Sequence, residues 1–194
     1  MSKELQGLRV AILVTDGFEQ VEMTKPREAL QKAGAETHLI APRSGQVQGW
    51  NHDEKGDKFP VDKTLDSVEA TDYDAYMQPG GVASPDRLRM IPKAVQFVKD
   101  FSDQNKPIAA ICHGPWMLVE AGLVEGKTLT SWPSLKSDIR NAGGRWVDRD
   151  VVTDGNIVTS RKPDDIPAFN REMIVLFSRA VSETEHAGAS RKQR

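Results

Sequence analysis

The sequence predicts an α/β domain built on a mostly parallel sheet. Three observations carry this. Short apolar runs recur at residues 8–15, 36–41, 74–78 and 108–112, and such runs suit strands covered on both faces. Between them lie stretches whose apolar residues follow a helical period. Glycine-containing turns stand at strand ends, as Asp16-Gly17, Pro79-Gly80-Gly81 and Gly114-Pro115.

Residues 8–15 (LRVAILVT) make the first strand, broken by Asp16-Gly17. Thr24 caps a helix in which Pro26 takes a first-turn position. Ala29, Leu30 and Ala33 form its apolar stripe, and Gly34 ends it. Residues 36–41 return as a strand closed by Pro42, completing a βαβ unit. Residues 46–62 alternate weakly through Val47, Trp50, Phe59 and Val61, which predicts an inserted β-hairpin. Residues 74–78 form a third buried strand. Residues 92–104 form a helix with Ala94, Val95, Phe97, Val98 and Phe101 as apolar positions.

Residues 108–112 (IAAIC) read as the most buried strand. A helix starts just after Cys112 and stops at Gly122. Residues 127–130 predict a short strand, and residues 133–141 a helix ended by Gly143-Gly144. Trp146-Val147 and Val151-Val152 are strand pieces, and Asp154-Gly155 turns the chain into a returning strand at 157–159. Ile166, Phe169, Met173, Phe177 and Ala180 mark the buried face of a last helix. One domain over residues 1–181 is expected, with 182–194 as a flexible tail.

The chain has 194 residues, 26 basic against 28 acidic side chains, and 38% hydrophobic residues. That is ordinary for a globular domain with a real core. The near-balanced charge gives no reason to expect nucleic acid. No apolar run is long enough for a membrane span. The N-terminus lacks an apolar signal core, so a cytoplasmic location is expected.

The single cysteine, Cys112, cannot staple its own chain, which fits a reducing compartment. It is either buried filler or a reactive group. Its place at the C-terminal end of a strand, with His113 and Gly114 next, resembles a nucleophile elbow. A thiol at a helix N-terminus is expected to favour the thiolate. His113 can serve as its base. The N–H of His113 and one from Gly80-Gly81 or Val82 can form an oxyanion hole. His38, His52 and His186 have no metal-site spacing, so no metal and no cofactor are expected.

Ala109-Ala110-Ile111-Cys112-His113-Gly114-Pro115, Pro79-Gly80-Gly81 and the stretch from Asp16 to Glu22 resemble the DJ-1/PfpI superfamily, in its PfpI-like intracellular protease/amidase or general stress protein branch. The resemblance extends from about Leu8 to Ala180 and includes Thr130-Ser131-Trp132 and Trp146 to Val152. It implies a flavodoxin-like three-layer sandwich of the class I glutamine amidotransferase-like type. It makes Cys112 the nucleophile, His113 its partner, and Gly81 and His113 the oxyanion donors. Glu19 matches the acid bonded to the sulfur; on its own it reads as a solvated loop carboxylate. Glu22 reads as a helix-entry residue.

The resemblance also implies a third triad member from a neighbouring subunit. Asp86 occupies that position, one methylene shorter than the usual glutamate and after a loop one residue longer. Val82 replaces the family's arginine. Asp86 otherwise caps a helix or pairs with Arg87 or Arg89. A shared site implies a homodimer, or a hexamer built from dimers. Trp116 either narrows the pocket or packs at a subunit contact. The first implied function is a cysteine hydrolase of short peptides or amides. The alternatives are a cofactor-independent glyoxalase or deglycase acting on methylglyoxal or its adducts, and a redox-sensing stress protein.

Overall fold

The computed structural model of the chain describes residues 4–191, with side chains described through residue 179. In chain order the first elements are β1 (Arg9–Leu13), β2 (Phe18–Glu19), α1 (Gln20–Lys32), β3 (Glu36–Ala41), β4 (Gln46–Asn51), β5 (Glu54–Pro60), β6 (Lys63–Thr64) and β7 (Ala75–Gln78). Then come α2 (Ala83–Leu88), α3 (Pro92–Asp103), β8 (Ile108–Ile111), α4 (Pro115–Glu120), β9 (Thr128–Leu129), α5 (Lys136–Asn141), β10 (Arg145–Trp146), β11 (Val151–Asp154), β12 (Ile157–Ser160) and α6 (Ile166–Arg191).

A seven-stranded sheet runs in the order β11-β12-β8-β7-β1-β3-β6. Every pairing in it is parallel except β11 with β12, which is the expected hairpin at Asp154-Gly155. The pleat sorts side chains to two faces. Val10 and Ile12 of β1 join Leu30 of α1 and Phe169, Met173 and Phe177 of α6 in one core. Ala11 and Leu13 join Phe97 and Phe101 of α3, Leu118 of α4 and Ile139 of α5 in the other. The result is the expected three-layer α/β sandwich. Each fully buried Phe or Leu contributes roughly 2 kcal/mol of transfer free energy.

Several boundaries differ from expectation. α1 begins at Gln20, before Thr24, and carries Pro26 inside it. The proline removes only the hydrogen bond to the Glu22 carbonyl, and the burial of Met23, Pro26 and Leu30 holds the helix through it. The expected strand at 127–130 is β9, paired with β10 in a separate two-stranded sheet. Residues 133–141 divide into a 3-10 turn, Pro133–Leu135, followed by α5. The inserted hairpin is present as β4–β5, and it also pairs with β2 through Phe18↔Gly49 and Glu19↔Trp50. Ala180 and the tail expected from Ser182 lie outside the residues whose side chains are described.

Candidate active site

β7 and β8 lie side by side, so their C-terminal ends bring Pro79-Gly80-Gly81 against Cys112-His113. Along β8, Ala109 and Ile111 face one core and Ile108 and Ala110 the other. Strict alternation would send Cys112 to the second core, yet it joins the first with Ile111. The reason is its backbone, held at φ 63°, a left-handed conformation that L-residues rarely adopt. Its N–H donates to Ser160 O at 3.0 Å, and its C=O accepts from Trp132 N at 2.9 Å. Those two bonds and the buried β8 over-determine the strained turn. This is the expected elbow.

The turn needs glycine on both sides of it. A Cβ on Gly114 would lie 2.6 Å from Gln78 O and 2.8 Å from Ile111 O. A Cβ on Gly80 would lie 2.5 Å from Glu22 Oε2 and 2.7 Å from Cys112 Cβ. Beneath the turn, Gln78 Nε2 donates to Leu13 O and Pro79 O, both at 3.1 Å, and Tyr76 donates its hydroxyl to Gln78 Oε1. This buried network ties the ends of β1 and β7 together.

Cys112 Sγ and His113 Nδ1 are 3.3 Å apart, so the expected cysteine–histidine pair is formed within the chain. The N–H groups of Gly81 and His113 favour the ionised form of the same sulfur. His113 stacks on Trp132, with ring centroids 6.0 Å apart and planes at 27°, and meets Trp116 at 5.5 Å. Burial pushes the His113 pKa down to about 4, so the ring is neutral at pH 7. Its far nitrogen, Nε2, lies 3.3 Å from Ser134 Oγ.

The acid at the sulfur is Glu22, which corrects the expectation for Glu19. Glu22 is 0% exposed and accepts from Gly80 N at 3.0 Å through Oε2. Its carboxyl interacts electrostatically with the Cys112 thiol, and Oε1, buried, has no hydrogen-bond partner. Burial, with the nearby charge of Glu19, pushes the Glu22 pKa up to about 8. Glu19 instead pairs as strand with Trp50, and its Oε2 accepts from the backbone N of His52 at 3.1 Å. The helix therefore starts after Glu19, and its first turn carries Glu22 inward.

The resting thiol also departs from expectation. Burial and the neighbouring Glu22 raise the Cys112 pKa, against the lowering by the Gly81 and His113 N–H groups. α4 has only six residues, so its dipole is too short to reverse this. Glu22 and Cys112 both resist ionisation, and the corner holds them as neutral acids at pH 7.

The cavity over Cys112 measures about 670 Å³. The β4–β5 hairpin supplies Trp50, His52 and Lys55 to its wall, and Glu19, Arg87 and Trp132 also line it. Trp116 bonds Asp138 Oδ2 at 2.7 Å through Nε1, with the Arg89 guanidinium 5.2 Å over its ring. Asp86 lies exposed on α2 and is not among the cavity residues. Within one chain it does not join the Cys112–His113 pair. Sequence reasoning missed Ser134. It misjudged Glu22 as well, although Glu22, Pro26 and Leu30 fall on one stripe at helical spacing. Among the described residues, no helix is long and apolar enough to cross a membrane.

The sequence pattern of the DJ-1/PfpI family matches residues 8–176. The chain is 42% identical over 172 residues to protein/nucleic acid deglycase 2 of Escherichia coli, covering 87% of this chain and 97% of that protein. It is 42% identical over 176 residues to general stress protein 18 of Bacillus subtilis, covering 89% and 99%. Among solved structures it superposes with a TM-score of 0.81 on a two-domain protein from Anabaena variabilis with DJ-1/ThiJ/PfpI-like and ferritin-like domains. That match has 34% identity and covers 87% of this chain and 47% of the other.

Proposed function

The chain belongs to the DJ-1/PfpI family, and from that premise we propose that it is a cysteine-dependent enzyme acting on small reactive 2-oxoaldehydes, such as methylglyoxal, or on their adducts. The observation that carries this reading is the buried Glu22 carboxyl at the Cys112 thiol, with its pKa pushed up to about 8. A group poised near the working pH both gives and takes a proton.

The chemistry follows from the placement. The thiol gives its proton to His113 Nδ1 as sulfur bonds the aldehyde carbon, and the ring sheds the hydrogen on Nε2, so it stays neutral. Glu22 gives its proton to the carbonyl oxygen, which the Gly81 and His113 N–H groups also hold. The product is a hemithioacetal, and Glu22 is now a carboxylate. It takes the proton from the sulfur-bearing carbon and returns it to the neighbouring carbonyl carbon, while the hydroxyl proton on the first oxygen passes to the second. The hemithioacetal becomes a thioester of a 2-hydroxyacid. Water cleaves the thioester, releasing the acid and restoring the thiol, and Glu22 recovers from water the proton that the thiol first released. No oxidant or reductant is consumed, because the two carbons exchange oxidation levels.

The Cys112–His113 contact also supports peptide or amide hydrolysis as a second reading. That reaction needs a histidinium to protonate the leaving amine. His113 is pushed to about pKa 4 and has a serine rather than a carboxylate at Nε2. This reading therefore requires Asp86 of a second copy. Assay of methylglyoxal and a short peptide amide side by side, with Cys112→Ala as the blank, separates the two. The aldehyde reading expects turnover of methylglyoxal that is lost in Cys112→Ala and kept in Asp86→Asn. Peptide turnover lost in Asp86→Asn favours the second.

A further inference from the structure

A neutral imidazole has one N–H and two contacts to satisfy. His113 Nδ1 faces the thiol at 3.3 Å, and Nε2 faces Ser134 Oγ at 3.3 Å. For Nδ1 to accept the thiol proton, the ring's own hydrogen must sit on Nε2. A hydroxyl is the side chain that accepts that hydrogen and can also donate to Nε2 once the ring has changed tautomer. Ser134 is exposed, whereas Cys112 and His113 are buried. The three groups thus run in one line from the buried sulfur to solvent.

We propose that Ser134 is the positioning residue of the nucleophile, setting the tautomer of His113 and carrying the thiol proton out to water within a single chain. The step balances with the imidazole neutral throughout: negative charge is left on the sulfur and the proton reaches water. The S–H bond breaks and Nδ1–H forms. The Nε2–H bond breaks and a new O–H bond forms on Ser134. The original hydroxyl hydrogen of Ser134 leaves to water. The Gly81 and His113 N–H groups favour the thiolate that remains. The burial that disfavours a charged ring makes such a neutral relay the route open to it.

The neighbouring ring contacts hold the line in place. Trp132 stacks on His113 and precedes the turn that carries Ser134. Trp132 N also bonds Cys112 O at 2.9 Å. One segment therefore fixes both the nucleophile's backbone and the hydroxyl at the far side of its base. The titratable or charged groups around the pair are Glu22 on α1, Glu19 on β2, Asp16 ahead of it, His52, Asp53 and Lys55 on the β4–β5 hairpin, and Arg87 on α2. Arg89 and Asp138 reach it only through the Trp116 ring. None of these touches Nε2.

The inference rests on Cys112 as the reacting group, and its test needs no turnover. Cys112 is the only cysteine in the chain, so iodoacetamide alkylation followed by intact mass reads this thiol alone. The rate is measured from about pH 5 to pH 9 for the wild type, Ser134→Ala, Ser134→Thr and Asp86→Asn. Ser134→Ala is expected to slow alkylation at neutral pH by about tenfold, against the roughly hundredfold or more of losing a base outright. Its rate curve should shift to higher pH, with an unchanged melting temperature. Ser134→Thr should restore the wild-type curve, and Asp86→Asn should leave it in place. Coincident curves for Ser134→Ala and wild type overturn the proposal. A shift in Asp86→Asn with none in Ser134→Ala overturns it too, in favour of a carboxylate from a second copy. A shifted curve without aldehyde turnover keeps this inference and removes the substrate reading.

Discussion

Glu22 Oε2 accepts from the N–H of Gly80 at 3.0 Å, and the same buried carboxyl interacts electrostatically with the Cys112 thiol. One buried acid thus braces the Pro79-Gly80-Gly81 turn and meets the nucleophile. Its raised pKa, set first by burial, has consequences for both catalysis and stability.

Glu22→Gln keeps the shape and removes the proton. It is expected to lower aldehyde turnover by about a hundredfold or more, the scale of a lost general acid–base. Glu19→Gln should cost less than about tenfold, because Glu19 holds the hairpin at His52 and not the sulfur. Steady-state kinetics of both variants on methylglyoxal check this. A larger loss in Glu19→Gln would return the proton-transfer role to Glu19.

The same carboxyl links stability to pH. Its pKa rises from 4.5 in a free carboxyl to about 8 in the fold. Between those values the native state holds a proton that the unfolded chain has released. Glu22 therefore stabilises most fully below about pH 4.5, and that contribution is lost as pH rises to about 8. Its size is on the order of a few kcal/mol. Melting curves should show Glu22→Gln gaining on the wild type over this window. Parallel curves would contradict the burial of a protonated acid.

Gly114→Ala tests the elbow. The added methyl would lie 2.6 Å from Gln78 O, against backbone that cannot swing away. The expected cost is about 1–3 kcal/mol. Urea unfolding reads that loss, and alkylation of Cys112 should slow because the sulfur moves off the Gly81 and His113 donors. A variant as stable and reactive as wild type would show the turn to be loose.

Trp132→Ala removes the ring stacked on His113 and opens the rim of the cavity. Water then reaches the imidazole, and its pKa should rise from about 4 toward the ordinary 6.5. NMR titration of the ring follows this directly. An unmoved titration would assign the low value to the surroundings other than Trp132.

The layered fold and the nucleophile were legible because both rest on local patterns. Residues 8–15 and 108–112 are apolar runs ended by glycine turns, and Cys112-His113-Gly114 sits at the second of these. Glu22 was hidden by conformation. Thr24 looks like a helix cap, but pairing of Phe18 and Glu19 with β4 starts the helix at Gln20. A five-residue shift of the cap, from Thr24 to Glu19, changes which carboxylate points inward. Ser134 carries no local signal: it meets His113 only because Trp132 N is tied to the elbow carbonyl. The Trp116–Arg89–Asp138 group likewise joins α4, α5 and the residue after α2, which no spacing rule connects.

The central claim is that Cys112 and Glu22 together isomerise a 2-oxoaldehyde. The most direct test is carbon NMR of isotopically labelled methylglyoxal incubated with the protein. The account predicts that the label accumulates as the 2-hydroxyacid, lactate, with the wild type, and that this signal is absent with Cys112→Ala and at least strongly reduced with Glu22→Gln. Lactate formed at the wild-type rate by Cys112→Ala, or no lactate from a folded wild-type protein, would contradict it.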